Sequence, residues 1–221
     1  MNVKTFTFDE NVASQYESWY DTVEGQKADI LEKRALRRLL HRFPSAHNVL
    51  DVGAGTGHFT RWLSTEGMKV VGLDFSAAML REAERQHTGP WVQGNGCELP
   101  FIQGAFDLVV FITTLEFLEC PSHALKEGLR VSRLGLLLGV LNRCSVLGIR
   151  RRLQSLFKNT IYNYAHFYRV KELKRLLIAL TDEKVQLEWE TTYLPPWGPK
   201  CLSNLRWGNF IVMALMKPSC D

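Results

Sequence analysis

Residues Val49 to Gly57 read Val-Leu-Asp-Val-Gly-Ala-Gly-Thr-Gly, and an acid, Asp74, closes the next apolar run, Met68 to Leu73. Glycines let the backbone turn sharply and approach a ligand with no Cβ in the way. If a helix follows, its first N–H groups and positive end favour a carboxylate or phosphate. A carboxylate about 20 residues on is placed to take two vicinal ribose hydroxyls, one per oxygen. Together these residues describe a nucleoside-binding cleft. In isolation, the same glycines could make only a tight turn and Asp74 only a cap. A nicotinamide or flavin dinucleotide favours G-x-G-x-x-G, but here the third glycine comes one residue early.

The cleft requires elements to hold it, and the sequence supplies them in order. Apolar residues at Ile30, Leu31, Ala35, Leu36, Leu39, Leu40 and Phe43 predict a helix over 30–43, stopped by Pro44. Asn48 to Val52 reads as a buried strand, and a helix carrying Phe59, Trp62 and Leu63 follows the glycines. Met68 to Leu73 is a second strand, and Ser76 is placed to cap a helix through Gln86. Strands at Trp91–Gln93, Phe106–Ile112 and Leu136–Leu141 flank a helix over Ser122–Ser132. Such alternation predicts a parallel sheet covered on both faces. A helix near 170–180 precedes two strands, Val185–Tyr193 and Asn209–Lys217; the short loop between them predicts an antiparallel pair.

With these elements laid out, the chain resembles the class I S-adenosylmethionine-dependent methyltransferases. Asp51–Gly57 (DVGAGTG) is similar to their first motif, and Gly72-Leu73-Asp74-Phe75-Ser76 to the acidic end of their second strand. Gly94 to Phe101 followed by Phe106-Asp107-Leu108-Val109 resembles the small-molecule branch, which includes quinone-biosynthesis enzymes. Phe8-Asp9, Tyr16 and Trp19-Tyr20 resemble that branch's N-terminal lid. The resemblance implies a three-layer, Rossmann-like α/β fold with a mostly parallel seven-stranded sheet and an antiparallel C-terminal strand. It implies one domain over residues 1–221, with a lid and helix at 1–45 and a substrate-side insert at 143–170.

It also implies roles. Gly53, Gly55 and Gly57 would border the methionine moiety, Asp74 would hold the ribose, and Phe75 would lie against the adenine. Asn95, Gly96 and Cys97 would meet the adenine edge. Tyr16, Asp51, Ala54, Ser76, Met79 and Thr113 complete the expected cofactor-binding set. The family usually has Asp at Asn95, and Pro-Gly-Gly where this chain has Arg133-Leu134-Gly135; the second departure is expected to alter a turn only. Asn-Pro-Pro-Tyr, carried after the fourth strand by enzymes that methylate nucleic-acid amines, is replaced by Ile112-Thr113-Thr114-Leu115.

The implied chemistry is in-line methyl transfer from S-adenosylmethionine to a small acceptor, leaving S-adenosylhomocysteine. Orientation and exclusion of water would supply most of the catalysis. A phenol or carbon acid would add the need for a general base. Glu116 and His166 are the leading candidates, with Glu119, His58 and His123 behind them.

Cations are unevenly spread. Lys33, Arg34, Arg37, Arg38 and Arg42 share one acid-free stretch; Arg143, Arg150, Arg151, Arg152 and Lys158 share another. They read as solvated helix faces, or as sites for an acidic substrate, RNA or a membrane surface. Three rival readings stand: an RNA or protein methyltransferase docking through these stretches; an inactive S-adenosylmethionine-binding module, which Asn95 in place of the family's Asp makes conceivable; and a nicotinamide-dependent oxidoreductase. Ile161 to Tyr168, with Tyr16, Trp19, Tyr20, Tyr193 and Trp197, could roof an aromatic acceptor or merely pack the insert.

Composition fits this frame. The 221 residues are 46% hydrophobic and 23% charged with net charge +4, which excludes a disordered, collagenous or coiled-coil chain. No apolar run approaches the ~18–20 residues of a membrane span. Five scattered cysteines with no C-x-x-C pair predict reduced thiols, no metal site and a cytoplasmic protein. No basic-then-apolar leader opens the sequence, so no secretory signal is expected. The sequence leaves the oligomeric state undetermined.

Overall fold

Seven strands form one sheet in the order β3-β2-β1-β4-β5-β7-β6. The computed structural model describes residues 8–145, 165–181, 185–192 and 208–218. The strands are β1 Asn48–Val52, β2 Lys69–Asp74, β3 Trp91–Gln93, β4 Phe106–Ile112, β5 Ser132–Leu141, β6 Gln186–Thr191 and β7 Phe210–Met216. The pairs from β3 through β5 are all parallel, and β7 runs antiparallel to both neighbours. The expected α/β sheet and its antiparallel C-terminal strand are both present.

Among the described residues the α-helices are α1 Glu10–Tyr16, α2 Val23–Leu40, α3 His58–Thr65, α4 Ala77–Gln86, α5 Pro121–Val131 and α6 Val170–Ile178. Strand side chains alternate between two cores, because successive residues point to opposite faces. Val49, Leu108, Val110, Ile112 and Leu137 pack with α2 and α3 through Leu36, Leu39, Leu40, Trp62 and Leu63. Leu50, Val109, Phe111, Leu136 and Leu138 pack with α5 and α6 through Leu125, Leu129, Leu173 and Leu177. The central strands are therefore apolar on both faces, as a doubly covered parallel sheet requires.

Three boundaries differ from the sequence reading. α2 begins at Val23 rather than residue 30, because Thr22 caps it; its Oγ1 accepts the Gly25 N–H at 3.0 Å and donates to the Trp19 carbonyl at 2.7 Å. That helix ends at Leu40, before Pro44, so the proline is not its terminator. Arg133-Leu134-Gly135 is not a turn: it lies within β5, where Gly135 takes φ 145° and the register against β4 shifts between Phe106 and Leu108. A Cβ on Gly135 would stand 1.9 Å from the Leu215 carbonyl oxygen of β7, so the strand passes there only with glycine.

From β1 the chain builds outward through β2 and β3, then returns to place β4 on the other side of β1. The reversal lies between β1 and β4, and a crevice opens beyond their carboxyl ends.

Candidate active site

The glycine loop leaves β1 at the mouth of this crevice. Gly53, Gly55 and Gly57 all have left-handed backbones, with φ of 75°, 57° and 81°. Gly53 and Ala54 both donate their N–H to the Leu73 carbonyl, at 2.7 and 3.0 Å, tying the loop to the end of β2. Asp74 completes the tie: its Oδ2 accepts the Gly55 N–H and its Oδ1 the Ser76 N–H, both at 2.8 Å. Each carboxylate oxygen keeps a further lone pair for a ligand. Across the crevice, Thr113 follows β4 with φ 53°, an uncommon conformation for a β-branched residue. Backbone strain of this kind gathers at functional sites. Thr114 Oγ1 donates to the Val52 carbonyl at 2.9 Å, pinning the end of β4 to the start of the loop.

These elements enclose a cavity of about 480 Å³. Tyr16, Asp51, Gly53, Ala54, Gly55, Asp74, Phe75, Met79, Asn95, Gly96, Cys97 and Thr113 line it. Gly57 and Ser76, expected with them, do not. Gly57 packs against Trp91, whose ring would meet an added Cβ at 2.6 Å. Ser76 caps α4, accepting the Met79 N–H at 3.2 Å and donating to the Phe8 carbonyl, so it holds the N-terminal segment in place. Sequence reasoning missed Thr56, Thr114, Phe117, Leu118 and Cys120 on the wall. Spacing from the glycine loop alone could have flagged Thr56; the others depend on how the post-β4 segment folds.

The wall is acidic where it is deepest. Asp51 is 2% exposed, and burial outweighs its hydrogen bond from Thr60 and pushes its carboxyl up to about 7. Asp74 is also raised by burial, against the pull of its backbone donors. Phe75, by contrast, is 77% exposed beside the opening.

A charged network fastens the N-terminal segment over the loop. Glu17 Oε1 accepts from Thr56 Oγ1 and, at 2.9 Å, from Arg61. His58 pairs with Asp29 of α2 at 2.7 Å and lies 3.8 Å from Glu17, with the Tyr20 ring stacked on it at 3.6 Å. Burial would raise Glu17, but bonds from His58, Thr56 and Arg61 bring it down to about 2. Burial would lower His58, but Asp29 and Glu17 outweigh it and raise the imidazole. Glu17's contribution to stability is therefore present above its unfolded value near 4.5 and lost as pH falls towards about 2. The contribution of His58 is full below its unfolded value near 6.5 and lost as pH rises through its higher folded value. The protection of residues 10–20 against hydrogen exchange, taken relative to the intrinsic rate at each pH, should thus be greatest between these limits and fall on the alkaline side. Glu17→Gln should accelerate exchange several-fold at pH 6, the effect of losing about 1–2 kcal/mol of partly buried charge pairing; unchanged exchange would remove the fastener.

The expected bases fall elsewhere. Glu116 does not reach the crevice. It is 2% exposed, its Oε1 accepts the Leu141 N–H, and burial pushes it up to about 7. It staples the post-β4 segment to the end of β5, a structural place that sequence proximity to β4 could not distinguish from the cleft edge. His166 is exposed, bonded through Nε2 to Glu172 at 2.6 Å, and lines a second, adjacent cavity of about 940 Å³. Glu119 lines both cavities, and His58 and His123 line the first.

The first basic stretch is largely neutralised within the chain. Lys33 pairs with Asp29, Arg37 with Glu66, Arg38 with Glu190 and Arg42 with Glu188, each at 2.8 Å. In the second stretch, Arg143 is described; Arg150, Arg151, Arg152 and Lys158 lie outside the described residues, as do Ile161, Tyr162, Asn163, Tyr164, Tyr193 and Trp197. Tyr168 is buried, donating its hydroxyl to the Leu115 carbonyl at 3.1 Å, so it packs the insert rather than roofing the cavity. Among the described residues, no helix is long and apolar enough to cross a membrane.

Comparison with known proteins agrees with this geometry. Residues 50–138 match the family model described as a methyltransferase domain. An uncharacterized protein of Methanocaldococcus jannaschii is 29% identical over 176 residues, 79% of this chain and 80% of that one. A demethylmenaquinone methyltransferase of Corynebacterium kroppenstedtii is 38% identical over 107 residues, 48% of this chain and 46% of its own length. The chain thus spans about half of that named relative. A crystal structure of an S-adenosylmethionine-dependent methyltransferase from Thermotoga maritima superposes with a TM-score of 0.74 at 27% identity, over 95% of this chain and 97% of that one. In its strand order, glycine loop and terminal acid of β2, the chain is similar to the S-adenosylmethionine-dependent methyltransferases, and residues 50–138 match their domain model.

Proposed function

We propose that the 480 Å³ cavity holds S-adenosylmethionine and that the chain methylates a small-molecule acceptor at its edge. The carrying observation is a crevice at the β1/β4 reversal walled by two carboxyls, the buried Asp51 and the half-buried Asp74, and among the described residues neither is ion-paired to a cation. A ligand with an ammonium and a sulfonium supplies the missing positive charge, and its ribose supplies hydroxyls for Asp74. In this reading Phe75 covers the adenine, Asn95 to Cys97 meet its edge, and Gly53 to Gly55 give the methionine end close backbone contact. Asn95 Oδ1 already accepts the Cys97 N–H at 3.0 Å, which leaves its amide nitrogen to face an adenine acceptor.

The bound cofactor supplies an activated methyl. The chain's own part is to orient and to exclude water: Tyr16, Tyr20 and Phe8 cover the pocket, and Thr113 and Leu118 narrow the side open to an acceptor. Glu119 and His166 are among the titratable groups on that side. A small acceptor is favoured by the likeness to a demethylmenaquinone methyltransferase, and by the intramolecular pairing of the first basic stretch, which removes four of its five cations from macromolecular docking.

Calorimetric titration tests the reading. S-adenosylmethionine and S-adenosylhomocysteine should bind with one-to-one stoichiometry while a nicotinamide dinucleotide does not. The purified chain should form S-adenosylhomocysteine when supplied with pooled small metabolites. Binding of the dinucleotide in preference to S-adenosylmethionine would overturn the assignment.

A further inference from the structure

We propose that the second cavity is the acceptor site and that it takes a small molecule carrying an oxyanion, a carboxylate or phosphate, on an apolar body. The word acceptor rests on the reading of the neighbouring pocket as the cofactor site; the anion preference does not. This cavity, of about 940 Å³, shares Leu118 and Glu119 with the first, so the two adjoin at that wall.

Four cations stand on its wall: Arg143, Arg169, Lys171 and Arg175. Backbone pairing brings them together. The segment before α6 runs beside the end of β5, with the Tyr168 N–H on the Leu141 carbonyl at 3.1 Å and the Arg143 N–H on the Tyr168 carbonyl at 2.8 Å. The His166 N–H bonds the Glu116 carbonyl at 2.7 Å, which fixes the same segment to the chain after β4. Arg143 therefore lies beside the start of α6, which carries Lys171 and Arg175 one turn apart.

Among the described residues, none of these four cations is ion-paired. Glu172, on the same wall, is committed elsewhere: one oxygen to His166 and the other to the Arg169 N–H at 3.3 Å. The contrast with α2 is direct, because four of the five cations in its basic stretch meet a carboxylate of this chain. Lys171 and Arg175 are like charges at i,i+4, which destabilises a helix unless something compensates. Three of the four are arginines, whose planar forks hold carboxylate or phosphate bidentately. Leu118, Pro121, Tyr168 and Leu176 supply apolar surface for the remainder of the molecule. Concave, mostly apolar walls with a few convergent charges are the usual make-up of a small-ligand site.

The test is titration of the full chain, with and without S-adenosylhomocysteine, using benzoate, phenyl phosphate and neutral benzyl alcohol, followed by NMR or calorimetry. At least one aryl anion should bind about tenfold or more tighter than benzyl alcohol, the scale of one charge-assisted contact. Which anion wins separates carboxylate from phosphate. Raising salt from about 0.05 to about 0.3 M should weaken it. Lys171→Gln with Arg175→Gln should weaken it by about fivefold or more while the affinity for S-adenosylhomocysteine stays within about twofold. Arg143→Gln, outside α6, repeats the test if the helix variant melts.

Equal binding of benzyl alcohol, undiminished anion binding in both variants, or binding of a short single-stranded RNA where small anions fail would each overturn the proposal. Anion binding that survives in a protein unable to bind S-adenosylhomocysteine would support the anion site and overturn the cofactor reading alone.

Discussion

Asp74→Ala is expected to weaken S-adenosylmethionine binding by about 3 kcal/mol, roughly a hundredfold, from loss of a charged acceptor for two hydroxyls and of the bonds that shape the loop. Two effects combine in this number. The carboxylate that would meet the ribose also accepts the Gly55 N–H and the Ser76 N–H. Removing it therefore loosens the glycine loop and the start of α4 as well as the ligand. Asp74→Asn separates the two, because one amide oxygen remains to accept from the backbone or from a hydroxyl but carries no charge. It should recover part of the loss. Calorimetry on both variants, with melting curves to follow the loop, checks this; full affinity in Asp74→Ala would remove the ribose assignment.

The second large effect is on the fold around the loop. A Cβ at Gly53 would stand 2.3 Å from Thr114 Cγ2 and 2.5 Å from its Oγ1, on a backbone at φ 75°. Thr114 cannot yield freely, since its hydroxyl is bonded to the Val52 carbonyl. Gly53→Ala should destabilise the protein by about 2–4 kcal/mol, combining left-handed strain with overpacking. It should also abolish measurable cofactor binding, because the clash displaces both sides of the crevice. Gly55→Ala is the control. Its Cβ would meet only Met79 Cε, at 3.5 Å, so it should cost about 1 kcal/mol of stability, the backbone term alone. Equal melting temperatures for the two variants would show that Thr114 is not the wall it is drawn as.

Both expectations depend on residues that lie close together in sequence and were legible there. Asp51, Gly53, Gly55 and Asp74 sit at the ends of strands whose apolar runs, Asn48–Val52 and Lys69–Leu73, are short and continuous. In a parallel sheet, such runs carry their next residues to one edge. The pattern of alternating strands and helices therefore gave the architecture and half of the crevice from local rules. Gly57 was misplaced for a related reason: spacing groups it with its neighbours, but only the packing of Trp91 decides which way that turn faces.

The other half of the crevice needed long-range contacts. Glu116 and Glu119 are three residues apart after β4, and nothing in that spacing tells a buried staple from a residue facing two cavities. The hydrogen bond from Leu141 decides it. Charge is the clearest case. The clusters at 33–42 and around 143 look alike in sequence, since each is a run of cations without an acid. The partners of the first cluster lie up to 152 positions away, as Glu190 does from Arg38, and pairing at that separation is set by which strand the sheet brings beside α2. By itself, the amino-acid order determined the fold class and the glycine-acid pocket, because those follow from periodicity and backbone freedom. Which cations remain for a ligand was decided only in three dimensions, because an ion pair depends on distance through space.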